Sequence, residues 1–245
     1  MRFQRNKLRV IFEDKDILVI HKTAGVASET RRIGEQDCVS LAKNYLAEKQ
    51  RAENPGKQVK APWIALVHRL DQPVEGILVL AKNSKAAAAL SEQMKKGDMY
   101  KEYMALVFPE ENAGVSLTSG KSVRLTDFLV RDAKSNTSRV ADEGTPDAKR
   151  AELEYEVIDA ENPFSEKGAR LLKIHLMTGR HHQIRVQLSH AGLPVIGDRK
   201  YGATPEGYRG ALCLVARKLV FRHPVSGKEM PFELDTSEID FMQGN

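Results

Sequence analysis

Asp71 is the carboxylate in this chain best placed to do chemistry. It stands in His68-Arg69-Leu70-Asp71-Gln72-Pro73, two residues after an arginine and at the edge of a turn signal. A carboxylate so placed can act as a nucleophile or as a general acid or base, and a cation within about 4–6 Å favours its charged form. A second block, Thr178-Gly179-Arg180-His181-His182-Gln183-Ile184-Arg185, supplies guanidinium groups and amide or imidazole donors in a short span. A third stretch, Lys101-Glu102-Tyr103-Met104-Ala105-Leu106-Val107, carries a phenol among apolar residues. Each has a plainer reading when taken singly. Asp71 reads as a turn cap beside a surface arginine, and Tyr103 as a core tyrosine whose hydroxyl finds a partner.

The surrounding pattern says which elements must hold these groups. Apolar and β-branched runs at 64–67 and 77–81 flank the Asp71 segment, so it reads as strand, tight connection, strand. With a side-chain period of two, Arg69 and Asp71 share one face while His68 and Leu70 take the other. Tyr103, Ala105 and Val107 alternate with Met104 and Leu106, which predicts a half-buried strand. Alternation at 153, 155 and 157 and at 172, 174 and 176 predicts two more strands with one buried face. Ile184, Leu188 and Ala191 fall at helical spacing before Gly192-Leu193-Pro194, which puts Arg180 at a strand-to-helix junction.

Upstream, 8–12 and 17–20 read as a hairpin, Asp37 caps a helix over 38–51, and Asn83 or Ser84 opens an Ala-rich helix that Gly97 ends. Residues 52–62 form a loop rich in Pro, Gly and Lys, and the Gly-, Ser- and Asn-rich stretches within 111–149 mark an expected seam between two halves. Strands outnumber helices and come in consecutive runs, which predicts an α+β fold with antiparallel pairing.

The composition narrows the function classes. Lys and Arg number 38 against 33 Asp and Glu, a formal charge of +5. Distribution matters more than the sum. Arg180, Arg185, Arg199, Lys200, Arg209, Arg217, Lys218 and Arg222 gather in a region poor in carboxylates, which suits a polyanion. Cys38 and Cys213 stand alone, which excludes a disulfide framework or a cysteine zinc site. His181, His182 and His190 lack ligand spacing, so no metal is expected. The His-x-Glu and Pro-Cys-x-x-Cys signature of the base deaminases is absent. No run spans a bilayer, and the basic start 1–7 has no signal-type apolar stretch, so a cytoplasmic protein is expected.

Taken in order, the blocks resemble the RluA family of pseudouridine synthases, whose signatures are His-Arg-Leu-Asp and Thr-Gly-Arg-x-His-Gln-Ile-Arg. The stretch around Tyr103 is similar to the family strand that supplies a tyrosine. The likeness runs from Glu13-Asp14-Lys15-Asp16 through His21-Lys22-Thr23-Ala24-Gly25 to His223-Pro224. One departure is Val74-Glu75-Gly76, where the family usually has Thr-Ser-Gly; the Glu-Gly pair is similar to the sister RsuA group.

The resemblance implies an isomerase that converts a specific uridine of structured rRNA or tRNA to pseudouridine, without cofactor or metal. Asp71 would be its catalytic carboxylate, with Arg180 ionising and orienting it and Tyr103 against the uracil. Arg69 would help hold the flipped-out nucleotide, and His182, Gln183 and Arg185 would contact RNA or support the site locally. It further implies a mainly antiparallel or mixed sheet in two halves with flanking helices and a central cleft. This would be a single catalytic domain over 1–245, with no N-terminal S4 domain, acting as a monomer. The loop 52–62 would face RNA. The alternative is a catalytically silent RNA-binding or assembly factor on the same fold. Loss of Asp71 or Arg180 would mark that alternative, and both are present.

Overall fold

The computed structural model describes residues 8–30, 32, 34–58, 60–202, 208 and 210–243. Arg209 and the basic start 1–7, both noted above, lie outside the described residues. In chain order the elements are β1 (Arg9–Glu13), β2 (Ile17–Lys22), α1 (Cys38–Glu53), β3 (Ala65–Leu66), β4 (Glu75–Ala81), α2 (Ser84–Lys96) and β5 (Tyr100–Val107). They continue with β6 (Ser122–Asp132), β7 (Thr137–Ala141), β8 (Lys149–Ile158), β9 (Arg170–Leu176), α3 (Gln183–His190), β10 (Leu214–Arg222) and β11 (Glu229–Glu233). The fold is α+β, and the strand registers within each unit are antiparallel. No helix among the described residues is long and apolar enough to cross a membrane.

The chain forms two compact units. One comprises the residues up to Met99 together with Leu219–Glu233, the other Tyr100–Lys218 with the residues from Leu234 on. Residues 111–149, where the composition suggested a seam, lie within the second unit. Their polar stretches are turns around β6 and β7, and Thr137–Ala141 is a strand despite its polar content. Its pairing with β6 is closed by a turn in which Asn136 adopts φ 51°, a conformation asparagine tolerates.

In the first unit, β2 lies between β1 and β4, pairing with β4 from Ile17↔Ala81 to Lys22↔Gly76. Every residue of β2 and β4 is buried, as the apolar runs 17–20 and 77–81 require, and the burial extends to the polar ends His21, Lys22 and Glu75. Asp37 accepts from Ser40 N to cap α1, Asn83 accepts from Ala86 N to cap α2, and Gly97 ends α2 in the left-handed conformation at φ 78°.

The expected strand over 64–67 shrinks to two residues, paired Ala65↔Ala81 and Leu66↔Leu80. The next ladder position is lost because Val79 N donates to the His68 ring at 3.2 Å instead of to a backbone carbonyl. Arg69 and Asp71 therefore lie on a loop rather than on a strand, and the alternation argument for their shared face does not apply.

In the second unit the antiparallel order is β5-β9-β8-β6-β7. β5 is buried on both faces from Glu102 to Val107, whereas alternation suggested one exposed face. α3 packs on β6 and β7, with Leu129, Ala151 and Val186 forming a small core that Val140 and Tyr201 complete.

Candidate active site

The Asp71 segment is held by polar contacts on both sides of the carboxylate. Ser28 Oγ accepts from Leu70 N at 3.1 Å and donates to Leu70 O at 2.7 Å, with both residues buried. Gly25 N donates to Gln72 O at 2.8 Å, and Gln72 Nε2 returns a bond to Gly25 O at 3.1 Å. Gly25 sits at φ +87°, in the region that only glycine enters without strain, so the chain can turn there and reach Gln72. Val74 N closes the turn onto Asp71 O at 3.0 Å. Leu70 is 5% exposed, while Asp71 is partly exposed and Arg69 exposed; the Arg69 guanidinium lies 3.9 Å from Glu29. The backbone is thus fixed while the carboxylate stays accessible.

Beneath this turn lies Lys22, which the sequence analysis did not single out. Its ammonium donates to Gln72 O at 3.0 Å and Thr23 O at 3.2 Å, and the residue is 2% exposed. Burial pushes Lys22 down to about 8, against the opposing pull of Cys38, Asp71 and Glu75. The departure at Glu75 has a local counterpart, because Glu75 Oε1 lies 2.7 Å from His21 Nε2 with both side chains buried. Gly76 beside it takes φ 133°, again a glycine conformation.

In the second unit, Thr178-Gly179-Arg180 makes the turn from β9 into α3. Thr178 Oγ1 accepts from Glu152 N and donates to Gln183 Oε1, both at 2.8 Å, and the same Oε1 accepts from Arg180 N at 2.9 Å. Gln183 Nε2 donates to Glu152 O and Gln187 Oε1. Arg180 is exposed, its Nε donating to Arg150 O at 2.9 Å. Tyr103 is 9% exposed, on β5 opposite Ile174.

The residues expected to touch RNA differ in placement. Arg69 is exposed, but His182, Gln183 and Arg185 are buried, at 8%, 3% and 4% exposure. Arg185 grips Asp198 through two bonds, 2.7 and 2.8 Å, and its guanidinium carbon lies 5.1 Å from the Tyr201 ring centre. Burial works against the Asp198 carboxylate, yet Arg185 and the N–H groups of Lys200 and Tyr201 hold it below the usual range. His182 takes φ 55°, stacks on His181 at 3.8 Å between centroids, and shares a 2.7 Å hydrogen bond with the Tyr201 hydroxyl.

Gln183 and Arg185 thus bond to internal partners: Gln183 holds the Thr178-Gly179-Arg180 turn, and Arg185 ties α3 to Asp198. The basic run is likewise not uniformly solvent-facing: Arg185 is buried and Arg217 pairs with Glu102 at 3.1 Å.

Among the described residues, Asp14, Asp16 and His223 could offer a metal ligand atoms within 4.8 Å of one another. The backbone N–H groups of Val225 and Ser226 donate to His223 Nδ1, which leaves the proton on Nε2, and Nε2 donates to Asp14 Oδ2 at 2.8 Å. The nitrogen facing the carboxylates is therefore a donor, and Asp14 Oδ1 is already taken by Asp16 N and Ile17 N. That arrangement suits a fold-closing hydrogen bond better than a cation.

A family model described as RNA pseudouridylate synthase matches residues 16–190. The chain is 31% identical over 227 residues to an uncharacterized RNA pseudouridine synthase of Mycoplasma genitalium, covering 92% of this chain and 66% of that one. It is 31% identical over 237 residues to the ribosomal large subunit pseudouridine synthase C of Escherichia coli K12, covering 94% and 66%. It is 30% identical over 236 residues to the ribosomal large subunit pseudouridine synthase D of Zymomonas mobilis, covering 93% and 69%. The chain thus spans 66% of the length of the first two of these relatives, just under two thirds. The solved structure of human RNA pseudouridylate synthase domain containing 4 superposes with a TM-score of 0.68 at 20% identity, covering 93% of this chain and 88% of that one. That likeness shows the fold.

Proposed function

Because the chain belongs to the RluA branch of the RNA pseudouridylate synthases, we propose that it isomerises a specific uridine of structured ribosomal or transfer RNA to pseudouridine. The observation that carries this reading is Asp71: an accessible carboxylate on a loop whose neighbours on both sides are held by Ser28, Gly25 and Lys22. A fixed backbone and a reachable side chain are what attack on a sugar carbon needs.

The reaction breaks the C1′–N1 bond, turns the uracil while it stays bound, forms C1′–C5, and moves a proton from C5 to N1. It is redox-neutral and needs no cofactor. Asp71 acts either by attacking C1′ or by removing a sugar proton to give an unsaturated intermediate. Arg180 supplies the cation that orients it, Tyr103 packs on the base, and Arg69, the exposed one of the four expected RNA-contacting residues, holds the strand from which the uridine is flipped.

On this reading the chain works as one catalytic domain, a monomer acting in the cytoplasm. The silent RNA-binding alternative predicts instead that removing Asp71 changes nothing. Pseudouridine maps of total RNA from cells with and without the protein locate the uridine, and a transcript spanning it serves as substrate. Asp71→Asn should abolish product while RNA binding persists. Equal product from variant and wild type would overturn the proposal.

A further inference from the structure

Lys101, the second residue of β5, has its ammonium against the Thr178-Gly179-Arg180 turn: a Cβ placed on Gly179 would lie 3.8 Å from Lys101 Nζ. The side chain is half-buried, and among the described residues no hydrogen bond or ion pair engages it. Burial alone acts on the Lys101 ammonium, lowering its pKa with no carboxylate to offset the loss of water. Its strand position is two residues from Tyr103, so the two side chains leave β5 on one face, about 7 Å apart at the backbone. Arg180, one residue beyond Gly179, is exposed and tethered by Nε to Arg150 O. Two cations thus border a turn whose glycine has no side chain to close the approach.

A partly desolvated ammonium without a counter-ion is costly, and it is explained if an anion arrives with the substrate. RNA brings one phosphate per nucleotide, and extruding a base swings the adjoining phosphates toward the walls of the site. We propose that Lys101 binds a phosphate of the flipped nucleotide, one of the two phosphodiesters flanking the target uridine. This rests on the reading of the protein as an RNA pseudouridine synthase. It assigns to Lys101 a substrate contact separate from the chemistry of Asp71.

The test uses the full chain and the transcript spanning the mapped uridine. In Lys101→Met, KM should rise about tenfold to a hundredfold with kcat nearly unchanged, the loss expected for one charge-assisted hydrogen bond. The slope of log Kd against log salt should flatten by about one phosphate, and Lys101→Arg should recover most of the affinity. Wild-type protein is then given RNA with a methylphosphonate at either flanking position. One substitution should reproduce the Lys101→Met defect and add nothing in the variant.

If neither methylphosphonate weakens the wild type, or if its penalty is the same in Lys101→Met, the proposal is overturned even though product forms. This arm also decides the matter should Lys101→Met fail to fold. If wild-type protein makes no pseudouridine at all, the functional reading falls and the proposal with it.

Discussion

Leu70 has both backbone polar groups bonded to one hydroxyl, that of Ser28, in a place 4–5% exposed. Ser28→Ala therefore leaves an N–H and a C=O buried without a partner, at a cost of about 2–4 kcal/mol. Because Leu70 adjoins Asp71, kcat should fall in the fraction that remains folded. Urea unfolding and steady-state turnover measure the two effects, and an unchanged midpoint would show that Leu70 finds other partners. Asp71 stands out in the sequence because its neighbours form a motif. Lys22 was not. A lysine at the end of an apolar strand ordinarily turns its charge to solvent, and nothing local reveals that Gln72 O, fifty positions along the chain, receives it. Lys101 was hidden in the same way, by a turn about eighty residues away that leaves its ammonium half-buried.

At the scale of elements, α3 shows how a motif rich in cations can turn one of them inward. The Arg180-to-Arg185 run does open a helix after a strand, as the spacing indicated, but Arg185 faces inward onto Asp198. Arg185→Met should leave that carboxylate buried and unpaired, destabilising the fold by about 3–5 kcal/mol. An RNA contact would behave otherwise, weakening binding and its salt dependence while leaving the unfolding midpoint in place. Chemical denaturation of the variant beside a binding isotherm distinguishes them.

Helix ends read well from sequence because Asp37, Asn83 and Gly97 act on their nearest neighbours. Strand lengths read poorly, since β3 is cut short by a side chain two residues on, and β7 is polar and gains its order from pairing with β6. Full burial of β5 likewise depends on what covers its second face, which alternation cannot report.

For the whole molecule, acid is the vulnerable direction. Burial opposes the charge on Glu13, but Lys82, Lys49 and Tyr45 bond to it and hold it down to about 2 from 4.5, and Asp14 and Asp198 are also lowered. A carboxylate lowered in the folded state contributes stability that is complete above its unfolded value and is lost as pH falls through the folded one. Urea midpoints should therefore drop between about pH 4.5 and 2, and Glu13→Gln should be less stable at pH 7 with a shallower drop across that window. A parallel decline in variant and wild type would remove Glu13 from the account.

The first unit is also discontinuous: its last strand, β11, is separated from its other residues up to Met99 by more than a hundred positions. The bond from His223 to Asp14 closes a span of 209 residues. On the ribosome, the opening hairpin must wait for the whole of residues 100–218 to be synthesised before that partner exists. At about 5–20 residues per second, this leaves Asp14 for about ten to forty seconds without the imidazole that later covers it. The order of synthesis thus interleaves the two units: residues 100–218 of the second are made before the first is complete, and the second is completed only by the residues from Leu234 on.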